Sequence, residues 1–221
     1  MFVMSIETEV LSTPRRRRTQ AERRHEAEQR LLQSAMKLVS EKGVAGLTLG
    51  EVGEAAGYSR ALPAHHFGNK EGLLKALAVY IRESFSQKNL QRNPKPRAGL
   101  EAILATASLY LARAQTQDMG AKAMYAIITE ASVSRGPLLA DVQAQNRLTL
   151  EFLEAQIRVG IQQGEIRQDV SPSAQAAIII GMLRGISMLH VVDHSVDLES
   201  VGEEMLRMLR EHLQAISNRP Y

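Results

Sequence analysis

Two groups of side chains in this 221-residue chain have types and spacings that could do chemistry. The first is His190-Val-Val-Asp-His194, where two imidazoles four residues apart would share one face of a helix and could approach a metal ion together. It approximates the H-x-x-E-H pattern of inverted zinc peptidases, with the shorter Asp193 in place of glutamate. Catalysis would need a third ligand and a water-activating acid, and no nearby residue supplies them at a recognisable spacing. The remaining readings are a metal-sensing or adventitious pair, or a helix end at which histidines favour the dipole. The chain has no cysteine, which excludes thiolate zinc, iron–sulfur clusters, disulfides and a cysteine nucleophile. A phosphate-cradling glycine loop and a G-x-S-x-G elbow are also missing, so the expectation is a protein that is not an enzyme, has no catalytic residues and uses no cofactor.

The second group is Ser59-Arg60-Ala61-Leu62-Pro63-Ala64-His65, preceded by Thr48-x-x-Glu51 and followed by Lys70. Arginine can pair bidentately with a guanine edge, while leucine and alanine can touch a thymine methyl. The charge is placed to match. Residues 15–75 carry 12 Lys and Arg against 7 Asp and Glu, within a chain whose overall formal charge is only +3. A local positive field favours a polyanion. The run Arg15, Arg16, Arg17, Arg18 belongs to this basic end and has two readings, a solvated tail or an arm that follows phosphates or enters a minor groove.

The elements that must position these residues are helical throughout, with no competing period-two strand. Leu31, Leu32, Ala35, Met36 and Val39 mark one face of a helix ending near Gly43. Thr48 with Glu51 is a capping box, opening a short helix with Val52, Ala55 and Ala56 on its buried face and Gly57 as its stop. Ser59 is expected to cap a third short helix with Pro63 in its first turn, and Asn69 a longer one with Leu73, Leu74, Leu77, Ala78, Ile81 and Phe85 inward. Asn93-Pro-Lys-Pro96 is the clearest break. Beyond it the pattern predicts helices over about 97–115, 122–134, 138–163, 172–192 and 199–215. The expected domains are therefore a disordered basic arm over 1–20, a DNA-binding unit over 21–92, and a helical unit over 93–221.

A capped short helix, a glycine turn and a second short helix is the layout of a helix-turn-helix. Over about Arg30 to Leu77 the residues resemble the TetR family of bacterial transcriptional regulators, with Gly43, Thr48, Val52, Ala55, Gly57, Ser59, His66-Phe67, Asn69-Lys70-Glu71 and Leu73-Leu74 matching its pattern in order. The resemblance implies an all-α protein with an N-terminal DNA-binding domain and a C-terminal domain for dimerisation and ligand binding. It also implies that Thr48 holds a phosphate with its hydroxyl and backbone N–H, that Ser59, Arg60, Ala61, Leu62, Ala64 and His65 lie on or near the recognition helix, and that Lys70 adds a phosphate contact. Pro63 stands where an aliphatic residue is usual, and Ala64 where relatives commonly carry a phosphate-binding tyrosine. His65 or Tyr58 could replace that contact, although Tyr58 could equally pack inward, and His66 and Phe67 read as structural.

For the C-terminal part the resemblance implies a homodimer reading a near-palindromic operator, released by a small-molecule effector, as a cytoplasmic repressor. The helices over about 138–163 and 172–192 are the dimer candidates, because the second is apolar nearly all round, with Gly181 and Gly185 permitting close approach. The effector-lining candidates are Tyr110, Arg113, Met119, Met124, Tyr125, Ile128 and Phe152, residue types that serve equally well as core. An effector-independent or metal-responsive DNA-binding protein is the alternative. The best unbroken apolar run, Ala176 to Leu183, is far short of a membrane span and ends at Arg184; the start of the chain lacks the pattern of a secretory signal.

Overall fold

A computed structural model describes residues 19–91, 95–116 and 118–215 of the chain. The Arg15–Arg18 run, and Asn93 and Pro94 of the predicted break, lie outside the described residues. Among the described residues there are nine helices: α1 (Gln20–Lys42), α2 (Leu49–Ala55), α3 (Leu62–Phe67), α4 (Lys70–Leu90), α5 (Leu100–Gln115), α6 (Met119–Ser134), α7 (Pro137–Gln162), α8 (Pro172–Val192) and α9 (Leu198–Leu213). The only strand-like pairing described is an isolated bridge between Ile166 and Gln214.

Capping chemistry explains where most of these helices begin. Thr19 and Glu22 form a capping box at α1, as Thr48 and Glu51 do at α2. Asn69 Oδ1 accepts the Gly72 N–H at 2.9 Å at the start of α4. Helix α6 begins three residues before the predicted Lys122, because the Asp118 carboxylate accepts the N–H groups of Gly120 and Ala121. Helix α8 opens with Ser171 as cap and Pro172 at the first helical position.

Two apolar clusters hold the bundle together. One joins α1, α2 and α4 to α6 and the first turns of α7, through Leu31, Leu73, Leu77, Ile127 and Val142 among others. The other joins α5, α7, α8 and α9, through Ile103, Leu153, Ile157, Ile179 and Leu213. Each fully buried leucine stabilises by about 1.5–3 kcal/mol relative to exposure. Exposed pairs such as Arg30–Glu26 contribute well under about 1 kcal/mol, so apolar packing decides the geometry. The first cluster runs across the Pro-Lys-Pro break, with α6 and α7 packed directly onto the N-terminal helices. Lys75 of α4 adds a surface tie, meeting Asp141 of α7 at 2.9 Å.

Helix α8 is long and apolar enough, by length and composition alone, to cross a membrane, which counting only the unbroken run Ala176–Leu183 had missed. It carries Arg184 midway and packs Ala176, Ile179 and Leu183 into the second cluster. Its other side stays open. Ile178, Met188, Leu189 and Val192 are exposed, and a side chain added at Gly181 or Gly185 would meet nothing within 4 Å.

Candidate nucleic-acid interface and internal cavity

The geometry between α2 and α3 rests on one close approach. A Cβ on Gly53 would lie 2.4 Å from the Ser59 carbonyl oxygen, so only glycine lets the turn fold this tightly onto α2. Gly57 takes φ +79°, a left-handed turn that glycine adopts without steric cost. The buried face of α2 is accordingly Val52 and Gly53, with Ala56 half-buried against the first cluster; Ala55, expected inside, is exposed. Ser59 does not cap α3. It sits in the turn with its carbonyl accepting the Leu62 N–H at 3.1 Å, and the helix starts at Leu62 with Ala61 as an N-cap that makes no side-chain bond. Pro63 is buried in the first turn, where its missing N–H costs little.

This arrangement turns Ser59, Arg60, Ala61, Ala64 and His65 outward. Leu62 is half-buried and packs on the first cluster together with Tyr58 and Phe67, so Tyr58 and Leu62 face inward more than the base-contacting reading of them requires. His66 leans on Phe67 with ring centroids 5.9 Å apart, and burial lowers its pKa below the usual imidazole value. Arg24 of α1 is exposed and close enough to His66 to act on the same titration. It thus flanks the end of α3, a placement that only the packing of α1 reveals.

The polar groups around α2 are mutually engaged. Thr48 donates both its hydroxyl (2.7 Å) and its backbone N–H (3.1 Å) to Glu51 Oε2. Lys42 Nζ lies 2.6 Å from Glu51 Oε1. Lys42 and then Thr48 hold the Glu51 carboxyl down at about 2. The two Thr48 donors expected to meet a phosphate are therefore occupied by Glu51. Arg60 is exposed but bonded to Glu54 Oε1 at 2.8 Å, its guanidinium lying over Gly50. Lys70 donates to the Ala45 carbonyl at 3.3 Å, bracing the segment before α2.

A cavity of about 260 Å³ lies between α4, α5, α6, α7 and α8. Of the predicted lining residues it gathers Tyr110, Arg113, Met124, Tyr125, Ile128 and Phe152. Met119 is not among them: as the first residue of α6 it is 47% exposed. Tyr110 and Tyr125 share a hydroxyl contact of 3.1 Å, and Phe85 meets Tyr110 edge-on. Arg113 is paired twice with Asp118, at 2.8 and 3.2 Å, and stacks on Phe85. Arg82, Gln145, Asn146 and Arg184 add to the polar lining, beside Ser86, Thr106 and Thr149, and sequence reasoning named none of them.

Residues 31–77 match the family described as bacterial regulatory proteins, tetR family, and residues 96–206 match the tetracyclin repressor-like C-terminal domain. The chain belongs to the TetR family. It is 39% identical over 80 residues to the HTH-type transcriptional regulator CymR of Pseudomonas putida, and 30% identical over 79 residues to BetI of Burkholderia ambifaria. The matched segments span 36% and 34% of this chain, and only 39% and 41% of those relatives. The fold extends further. A TetR transcriptional regulator from Chloroflexus aurantiacus superposes with a TM-score of 0.76 at 21% identity, covering 87% of this chain and 98% of that one. AibR, solved in complex with isovaleryl coenzyme A and operator DNA, superposes with a TM-score of 0.66 at 25% identity, covering 82% of this chain and 97% of that one.

Within this TetR-family chain the His190–His194 pair is arranged as a helix end. His190 Nδ1 lies 3.0 Å from the Val196 carbonyl, and the two rings meet edge-on at 5.3 Å. The Asp193 carboxylate accepts the Ser195 N–H at 2.9 Å, and the Ser195 side chain first and this N–H second lower its pKa. His190 and Asp193 are thus engaged in closing the turn after α8. No cluster of three potential metal ligands occurs among the described residues.

Proposed function

We propose that this TetR-family chain acts as a cytoplasmic homodimer that binds a near-palindromic operator and represses transcription until a small molecule enters the cavity between α4 and α8. The observation that carries the reading is the outward edge of the second short helix, where Arg60, Ala61, Ala64 and His65 stand exposed on a turn locked by Gly53. This edge bears no carboxylate, and its side chains are small enough for the α3 backbone to approach the floor of a major groove. Arg60 would exchange Glu54 for a guanine, Ser59, Ala61 and Ala64 would make close base or sugar contacts, and His65 or Arg24 would meet the phosphates that a tyrosine at position 64 would otherwise reach. Thr48 and Lys70 would line the backbone track, Thr48 only by giving up its bonds to Glu51. The run Arg15 to Arg18 would add nonspecific phosphate contacts ahead of α1.

The open faces of α8 and α7 support dimerisation. Ile178, Met188, Leu189 and Val192, with Leu148 and Phe152 of α7, leave more apolar surface uncovered than a lone subunit would favour. A two-fold pairing across these helices would present two α3 edges to successive major grooves, roughly 34–36 Å apart. AibR offers support at the level of the fold, having been solved with both a small molecule and operator DNA. The test is selection of bound sites from random duplexes, combined with sedimentation. The expected result is a symmetric site and a dimer that Leu189→Glu splits. A monomer with equal affinity for every duplex would defeat the proposal.

A further inference from the structure

The charges around the cavity do not balance, and the imbalance lies at one residue. Three guanidiniums line the cavity, those of Arg82, Arg113 and Arg184, and no aspartate or glutamate does. Arg113 is neutralised by Asp118, both side chains being largely buried. Arg82 reaches the exposed Glu83 at 3.5 Å. Arg184 has no carboxylate within ion-pair distance among the described residues. One of its terminal nitrogens donates to the neutral amide oxygen of Asn146 at 2.7 Å, and its Nε is buried without a partner. The nearby phenol cannot supply the missing charge, since burial, with Tyr125 adding to it, raises the Tyr110 pKa far above its usual value. A guanidinium does not shed its proton, so a partly buried and uncompensated one is costly until an anion arrives.

We propose that the effector is a small organic monocarboxylate whose anionic head pairs with Arg184 and whose apolar body lies among Phe85, Met124 and Ile128. The proposal rests on the reading of this cavity as the effector site. The planar guanidinium fork offers a carboxylate two parallel bonds, and Asn146 and Tyr110 stand beside it to orient the head. An ammonium would bring a like charge against Arg184, and a neutral ligand would leave the guanidinium unpaired. A cavity of about 260 Å³ lies just below the range used by drug-sized ligands and suits an acid of roughly a dozen non-hydrogen atoms. Gln145 Oε1 is also buried without a partner, and a hydroxyl on the ligand body would satisfy it.

The experiment uses the whole 221-residue chain with five acids, benzoate, phenylacetate, 3-phenylpropionate, hexanoate and octanoate, each beside its primary amide and the corresponding amine. Melting temperature and release of a selected operator are read for each. At least one acid is expected to raise the melting temperature and release DNA, with its amide weaker by about tenfold or more and the amine inactive. Arg184→Gln is expected to erase the preference for acid over amide and, because it removes an uncompensated charge, to melt no lower than the unliganded wild-type chain. Equal binding of acid and amide, unchanged acid affinity in Arg184→Gln, or no stabilisation by any acid at about 10 mM would each overturn the proposal. The acid and amide comparison needs no variant, so it decides the matter even if Arg184→Gln does not fold. A neutral compound that releases the operator at lower concentration than every acid would overturn the charge assignment and leave the regulatory reading standing. Failure to select any operator would defeat that reading, while the thermal shifts would still report on the cavity.

Discussion

The helix-turn-helix and the cavity treat their polar groups in opposite ways. Around α2 and α3, Thr48, Glu51, Lys42, Arg60, Glu54 and Lys70 all have partners within the unit, leaving small side chains and His65 to face outward. In the cavity, Arg82 Nε, Arg184 Nε and Gln145 Oε1 are buried with no partner. The first surface is complete before anything binds, so under the proposed function recognition there would proceed by exchange, Arg60 leaving Glu54 for a base. The second is incomplete, and a ligand gains by finishing it. Because α6 and the start of α7 pack on the N-terminal helices while also bordering the cavity, completing the cavity can bias the orientation of the reading head.

The largest way to break the contrast is to spoil the completeness of the head. Gly53→Ala places a methyl 2.4 Å from a backbone carbonyl that cannot rotate aside. Helix propensity alone would favour alanine by about 1 kcal/mol, but the overlap outweighs it, and a net loss of about 2–3 kcal/mol is expected. Urea denaturation measures that loss, and operator affinity should collapse while cavity ligands still bind. If Gly53→Ala kept both stability and DNA affinity, the tight turn would not be what positions α3.

These two regions were also unequally legible from the sequence. Local chemistry marks the head: the Thr48–Glu51 box, Gly57 and Asn69 lie within a few residues of what they cap or stop. The start of α3 was misplaced because Ser59 carries a cap signal, whereas the contact with Gly53 draws it into the turn. The cavity is drawn from five helices whose contributing residues are spread from Ala78 to Arg184, so no local pattern announces it. Arg184 looked like the end of an apolar run, and its meaning depends on Asn146, thirty-eight positions away, and on the absence of a carboxylate around it. Met119 failed as a lining residue for the converse reason: its type suits a pocket, but α6 meets the cavity through Gly120, Ala121, Met124, Tyr125 and Ile128 and leaves Met119 exposed.

A smaller perturbation separates base reading from phosphate contact within the head. Arg60→Ala should cost about 1–3 kcal/mol on the preferred site and relax preference at one base position in each half-site. Lys70→Ala should weaken all sequences alike and make log affinity fall less steeply with log salt, by about one unit of slope. Competition binding against a panel of single-base variants at several salt concentrations separates the two patterns. A uniform loss from both substitutions would remove Arg60 from base reading and make its bond to Glu54 the more important role.

The smallest effect tests whether the network under α2 matters to the head at all. Glu51 titrates at about 2 in the folded chain and near 4.5 unfolded, so the folded state prefers its charged form. Its contribution is fully present above about pH 4.5 and is lost as pH falls from there toward 2. Asp169, held at about 2 chiefly by its bond to Arg167, loses its contribution over nearly the same range, and acid sensitivity of the whole protein therefore does not isolate Glu51. Glu51→Gln does, because Asp169 is retained in both proteins. The stability difference between the wild-type chain and Glu51→Gln should be largest near neutrality and shrink between pH 4.5 and 3, while Thr48→Ala, which removes the other half of the box, should cost about 0.5–2 kcal/mol at pH 7. A difference that stays constant with pH would mean that Lys42 and Thr48 do not hold the Glu51 charge in solution, and the pre-arranged state of the head would then rest on Gly53 and the apolar packing alone.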